Sequence, residues 1–191
     1  MIAAIAKTIE ARDPYTAGHQ QRVAQLSTAI ARKLGLSERQ TEGIHLASVI
    51  HDIGKIGIPA EILSKPSKLS RIELALIQEH AEAGYLILKD INFPWPIAQI
   101  VRQHHERFDG SGYPQGLKGD DILIEARILA VADTIDAMIS HRPYRPGLGV
   151  EMALQEILRN KARLYDPVVV DACITLFRRE KFKFSIVGDS C

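Results

Sequence analysis

Apolar residues recur along the chain at three- and four-residue intervals, the periodicity of helices with one buried face. His19, Val23, Leu26 and Ile30 share one such stripe, and Gly35 after Lys33 and Leu34 supplies a C-terminal cap. Ser37 to Gln40 reads as a capping box ahead of Ile44, Ala47 and His51. Ser70 to Glu73 reads as a second one, ahead of Leu74, Ile77, Ala81, Gly84 and Leu88. Pro94 and Pro96 suit a helix start, followed by the stripe Ile97, Ile100, Val101 and His104. Residues 121–140 form a long apolar-rich helix that carries Asp133 and Asp136. Asp166-Pro167 opens another, with Val169, Ala172, Cys173 and Leu176 on its stripe. The alternating run KFKFSIV at 181–187 fits a short strand or an irregular tail. The expectation is an all-α, compact helical bundle with mostly short connections. The longer connections, 56–69 and 106–120, hold much of the glycine and proline.

Size and charge narrow the picture. With 191 residues the chain fits one domain, 1–191, with 1–12 as an N-terminal connecting helix and 181–191 as a C-terminal tail. Twenty-four Lys and Arg against 23 Asp and Glu give a formal net charge of +1, no basis for DNA or RNA binding. No apolar run approaches the ~20 residues that span a bilayer, so no membrane insertion is expected. Met1 leads into helix-like sequence without the basic region and cleavage site of a secretory signal. Only Cys173 and Cys191 are present, so disulfides do not build the fold. A cytoplasmic protein is expected.

The chemistry enters through histidine. VIHDIGKIGIP at 49–59 sets His51 and Asp52 at the end of an apolar run, where buried polar groups are costly unless compensated. His19, His51 and His104 each lie on the inward stripe of their own helix, joined by His105 and by His80. Asp52 and Asp133 add carboxylates that need a cation if buried. Imidazole and carboxylate together suit zinc, iron, manganese or cobalt. Five histidines and two aspartates exceed the needs of one ion. They suit two ions about 3.5–4 Å apart, bridged by a carboxylate and a hydroxide. Lys55, three residues after Asp52, is placed to stabilise phosphate oxygens, with a solvated surface lysine as its plainer reading. His45, one residue past the inward stripe, and His141, at a helix end, fit no ligand position. Cys173 reads as core and Trp95 as a packing plug.

The stretch RDPYTAGHQQR at 12–22, then HDIGK at 51–55, HHE at 104–106, DGSGYP at 109–114 and RPYR at 142–145 together resemble the HD-GYP family. That family is a branch of the HD superfamily of metal-dependent phosphohydrolases. The resemblance runs from about Arg12 to Arg145 and implies an HD-domain helical bundle with a Gly-rich GYP loop. It implies that His19, His51, Asp52, His80, His104, His105 and Asp133 are metal ligands, with Asp52 bridging. It implies hydrolysis of cyclic di-GMP to pGpG, and in some members onward to GMP. Family members with a third metal carry glutamate four positions before the first histidine. Tyr15 stands there, so two divalent ions are expected, iron or manganese first, with zinc, cobalt, nickel or magnesium as alternatives.

A second cluster is expected around the substrate. Asp133 and Asp136 share a helix face, so Asp136 either orients a metal ligand or holds a guanine edge. Arg142 and Arg145 flank Pro143-Tyr144 and can meet phosphates bidentately, with surface salt bridges as their plainer reading. Tyr113 can stack on guanine or contact phosphate, or simply pack the loop, whose glycines serve its turns. The resemblance matches Asp136, Arg142 and Arg145 to substrate-contacting residues, and makes the GYP loop a contact surface for GGDEF domains. The leading helix offers a way to pair two copies. Two alternatives stand beside a cyclic di-GMP phosphodiesterase: an HD hydrolase of another cyclic dinucleotide or nucleotide, and a non-catalytic module that binds cyclic di-GMP or a GGDEF partner.

Overall fold

The computed structural model describes residues 18–140 and 147–185. The expected connecting helix 1–12, Tyr15, His141, Arg142, Arg145, Cys191 and the end of the tail lie outside the described residues. So does the 186–187 end of the alternating run.

The described chain is helical, as the periodicity predicts. Its helices are α1 (His19–Lys33), α2 (Glu38–Ile50), α3 (Ala60–Leu63), α4 (Arg71–Gln78), α5 (His80–Leu88), α6 (Ile97–Gln103), α7 (Ile124–Ile139), α8 (Val150–Arg159) and α9 (Pro167–Arg178). Two 3₁₀ turns, Ile53–Gly57 and Gly119–Asp121, interrupt the connections. Helix α1 packs on α2 and α7, α6 packs on α2 and α5, and the first 3₁₀ turn packs on α5. The core between them is aliphatic, with Leu26, Ile30, Ile44, Ile128, Leu129, Ile135 and Ile157 fully buried.

The capping signals act where the sequence puts them. The Ser37 and Ser70 hydroxyls accept from the Gln40 and Glu73 backbone N–H groups, and both boxes are reciprocal. The Asp166 carboxylate accepts from Val168 N at 2.7 Å ahead of Pro167. Gly35, at φ 74°, takes the left-handed conformation that ends α1.

Three elements differ from the periodic reading. The single helix expected after Ser70 breaks at Glu79: α4 has no buried residue, and only Ala81, Gly84 and Leu88 of the expected stripe are buried. Helix α7 starts at Ile124 rather than 121, because Leu123 is extended and gives its N–H to the Gln103 side chain at 2.9 Å. Residues 181–185 form no strand. Phe182 and Phe184 instead fold back on Phe177, with ring centroids 5.3–6.3 Å apart. Trp95 packs flush over Gly43, where an added Cβ would lie 2.7 Å from the indole. Cys173 is core, as expected, and burial pushes its thiol up to about 12.

Candidate metal centre

Every imidazole of the expected ligand set sits at or just beyond a helix end. His19 is the first residue of α1 and His80 the first of α5. His51 and His104 are the C-caps of α2 and α6, and His105 follows. The last carbonyls of a helix have no partner within it. The ring nitrogens supply one: His51 Nδ1 lies 2.8 Å from Ser48 O, and His104 Nδ1 lies 2.6 Å from Val101 O. His80 Nδ1 likewise lies 2.6 Å from Ile77 O at the end of α4, which accounts for the break at Glu79. A nitrogen facing a carbonyl must carry the proton, so Nε2 of each ring is left as a lone pair. At His19 a carboxylate takes the same part, with Asp136 Oδ2 2.7 Å from Nδ1.

The freed donors converge. His80, His104 and His105 form one group, His19, His51 and Asp133 a second, and His51, Asp52 and His104 a third. Within each group the donor atoms lie within 4.8 Å of one another, and together the groups include all seven residues expected as ligands. Asp52 lies between the halves. Its Oδ1 is 3.6 Å from His80 Nε2, while its Oδ2 is 3.5 Å from His51 Nε2 and 4.0 Å from His19 Nε2. Asp133 Oδ1 stands 3.3 Å from His19 Nε2.

The donor set fits divalent cations. His80 Nε2 and His104 Nε2 face each other at 3.3 Å while both Nδ1 atoms are committed to carbonyls. Two lone pairs so disposed repel unless a cation lies between them. Two metal–nitrogen bonds of about 2.1 Å at a tetrahedral angle span the same distance. The C-terminal ends of α2, α4 and α6 turn the negative ends of their dipoles toward the cluster, which also favours positive charge.

Protonation follows the same geometry. Burial, then the neighbouring imidazoles, bring His104 down to about 3 and hold His105 well below the usual range. Burial also lowers His80. These rings are neutral, the form that ligates. Burial alone would lower His19 too, but Asp133 and Asp136 outweigh it and raise it to about 9. A divalent ion held there would take the place of that proton. Burial alone would raise Asp52, yet Lys55 and the imidazoles of His51, His80 and His19 hold it well below the carboxylate range. The same opposition, with His19 foremost among the lowering groups, keeps Asp133 ionised.

The cluster is only partly open. The side chains of His19, His51, Asp52 and His80 are at most 4 % exposed, whereas Asp133 and Lys55 keep 17 % and 15 %. Lys55 Nζ contacts Asp52 Oδ2 at 2.7 Å, so the structure brings it to the cluster and not to bulk solvent. The Tyr113 ring lies 4.8 Å from that of His105, tilted by 32°, and burial pushes its phenol up. Asp136 has no exposed side-chain surface. Its oxygens hold His19, the Arg22 guanidinium at 2.6 and 3.1 Å, and Ser140. Of its two expected roles, only the orienting of a ligand agrees with that placement. A guanine edge would have to displace the guanidinium. His45 stays exposed on α2.

Sequence reasoning missed Arg22 and Glu106. Arg22 stands three residues after His19, the spacing that puts both on one helix face, and that was a usable signal. Glu106 closes HHE. It is 2 % exposed and accepts from Gln115 N at 2.7 Å and Leu117 N at 3.0 Å across the Gly-rich loop. Its signal was a carboxylate abutting a loop whose N–H groups need acceptors.

A family model described as HD domain matches residues 3–169. The chain is 45 % identical over 181 residues to a cyclic di-GMP phosphodiesterase of Thermotoga maritima, covering 90 % of this chain and 49 % of the relative. It is 41 % identical over 175 residues to the cyclic di-GMP phosphodiesterase response regulator RpfG of Xanthomonas campestris, covering 91 % and 46 %. The solved structure of a cyclic GMP-AMP specific phosphodiesterase of Vibrio cholerae superposes with a TM-score of 0.61 at 31 % identity, over 95 % of this chain and 42 % of that one. The chain thus spans about half the length, or less, of the relatives it matches. HD-domain phosphohydrolases are metal-dependent, in keeping with the His/Asp groups. Among the described residues no helix is long and apolar enough to cross a membrane. The HDIGK, HHE and GSGYP motifs resemble those of the HD-GYP branch, and the chain belongs to the HD domain family.

Proposed function

We propose that the chain is a metal-dependent phosphodiesterase that hydrolyses cyclic di-GMP to pGpG, and onward to GMP in a second round. The observation that carries this reading is the convergence of all seven expected donors on one partly open cluster. The cyclic di-GMP phosphodiesterases among its relatives supply the substrate class.

His19, His51, Asp52, His80, His104, His105 and Asp133 would hold two divalent ions, iron or manganese first. Ions there supply Lewis acidity toward phosphate oxygens and bring the pKa of water toward neutrality. Asp52 serves both halves of the site because its two oxygens face different imidazoles. Asp136 and the helix-end carbonyls keep each Nε2 aimed inward. Lys55 stabilises charge on the phosphate or on the departing ribose oxygen, swinging from Asp52 to the substrate. Tyr113 offers a ring face to a guanine base at the edge of the cluster. Arg142 and Arg145 clamp phosphate, a role that rests on sequence alone. The exposed rim of the loop, Ser111 and Pro114–Gly116, is the surface open to a GGDEF domain.

Metal-replete protein incubated with cyclic di-GMP should yield pGpG and then GMP on chromatography. Absence of both products across iron, manganese, zinc and cobalt, with metal content verified, overturns the reading. A second reading, hydrolysis of cyclic GMP-AMP, is favoured by the Vibrio cholerae relatives specific for that substrate. It prevails if the hybrid dinucleotide turns over at least about 10-fold faster, the ratio that 1.4 kcal/mol of transition-state discrimination gives.

A further inference from the structure

The segment HHERFDGSGYPQGL at 104–117 packs a carboxylate against its own Gly-rich loop. Glu106 is almost fully buried, and among the described residues neither of its oxygens is paired with a lysine or arginine. A buried carboxylate needs such partners or strong donors. The loop provides donors: Gln115 N–H reaches one oxygen and Leu117 N–H the other, each a charge-assisted bond. The loop's middle is held from the same place. Gly112 passes so close that a Cβ there would run into Arg107 N and lie 2.5 Å from Glu106 Cα and His105 O. Tyr113 N–H meets His105 O at 3.3 Å, and Gly110 N–H meets Arg107 O at 2.7 Å. One short stretch of main chain therefore presents His105 to the metal cluster and anchors the loop that lays Tyr113 over His105.

We propose that Glu106 is a positioning residue: its carboxylate fixes the loop so that Tyr113 forms a rigid wall of the substrate site. This rests on the reading that Tyr113 faces the substrate. Glu106 touches neither metal ligand nitrogens nor substrate and acts through Tyr113.

Glu106→Gln keeps the shape but turns an NH₂ group toward one of the two N–H donors, so one bond is lost and a donor–donor clash replaces it. The holoprotein variant should lose about 10- to 100-fold in kcat/KM for cyclic di-GMP, mostly through KM, with metal content as in wild type. Trypsin should cut after Arg107 or Lys118 about 10-fold faster than in wild type. In a Tyr113→Ala background the same change should cost less than about 3-fold more, because the cycle closes on a shared path. Glu106→Asp, which keeps the charge but shortens the reach, should fall between and serves if the Gln variant does not fold. Multiplicative losses in the double variant, metal loss in either Glu106 variant, or unchanged loop cleavage overturns the proposal. If wild type hydrolyses no cyclic di-GMP, the functional reading fails, and loop cleavage with metal content decides the positioning role by itself.

Discussion

Replacing Gly54 with alanine should damage the metal centre from outside it. Gly54 lies in the 3₁₀ turn directly after Asp52, and that turn rests on the first turn of α5, which begins with His80. A Cβ on Gly54 would run into the His80 carbonyl oxygen, and would lie 2.6 Å from Gly84 N and 2.8 Å from the His80 carbonyl carbon. All three are backbone atoms, which no rotamer change can move aside. Ordinary contact, 3.4 Å or more, demands that the turn and α5 part by about 1.4 Å, against the packing of both. Overpacking of this kind costs about 1–3 kcal/mol, and a backbone obstacle puts Gly54→Ala at the upper end. Loss of glycine's freedom in the unfolded chain offsets about 0.4–1 kcal/mol. The expected net loss is about 2–2.5 kcal/mol, or roughly 5–10 °C in Tm for a chain of this size.

Two other glycines calibrate the argument. A Cβ on Gly57, in the same turn, meets nothing within 4 Å, so Gly57→Ala should be neutral or stabilising by up to about 1 kcal/mol. A Cβ on Gly84 would lie 2.8 Å from Val101 Cγ1, a stiff β-branched neighbour, but alanine gains about 1 kcal/mol inside a helix. Gly84→Ala should therefore fall near zero, between the other two. The second consequence is chemical. Parting the turn from α5 separates Asp52 Oδ1 from His80 Nε2, now 3.6 Å apart, and a disturbed ligand setting costs about 10- to 100-fold in metal affinity. Urea unfolding of metal-stripped protein reads the first effect, and titration of stripped, folded protein with manganese reads the second. Equal stability and equal metal affinity for Gly54→Ala and Gly57→Ala would refute the reasoning.

The other predictions concern the ligands and the core. Asp136→Asn should weaken metal affinity about 10- to 100-fold, because His19 loses the carboxylate that orients it; unchanged affinity in a metal titration contradicts that role. Adding a divalent ion to 100 times its dissociation constant should stabilise the stripped protein by about 2.7 kcal/mol, seen as a chelator-reversible rise in Tm; no rise in wild type, or the same rise in His104→Ala, excludes binding at the cluster. Cys173, with its thiol pushed up to about 12 by burial, stays protonated through pH 10. In a Cys191→Ser background it should be inert to a disulfide reagent at pH 8.5 until denaturant is added, and prompt native-state reaction would place it at the surface.

Much of the fold was legible because helix caps and stripes are local. Ser37, Ser70, Gly35 and Asp166 act through neighbours two to five residues away, within reach of any reading of the chain. The break at Glu79 was illegible for the opposite reason. The stripe Leu74–Leu88 has one continuous period, and what divides it is the demand that His80 face Asp52 and His104, partners 28 and 24 positions away in sequence. The start of α7 at Ile124 depends on Gln103, which no local pattern connects to Leu123. The candidate ligands were legible as residue types in motifs. Their supports were not: Arg22 reaches Asp136 across 114 positions, and Glu106 shows its purpose only once the loop is folded over it.

The helix ends explain why the sequence tolerates so many polar groups at one place. An imidazole in the middle of a buried stripe would leave one ring nitrogen without a partner in an apolar core, at a cost of about 1–3 kcal/mol. At a helix C-terminus the same nitrogen meets a carbonyl that is itself without a partner, so two buried liabilities cancel. His51 and His104 take this course with the carbonyl three residues earlier, and His80 shares the Ile77 carbonyl with the Glu79 N–H. Each pairing also fixes a tautomer, and each fixed tautomer turns a lone pair toward Asp52 and its neighbours. The interactions that let the helices end inside the protein are therefore the ones that prepare the centre for a cation.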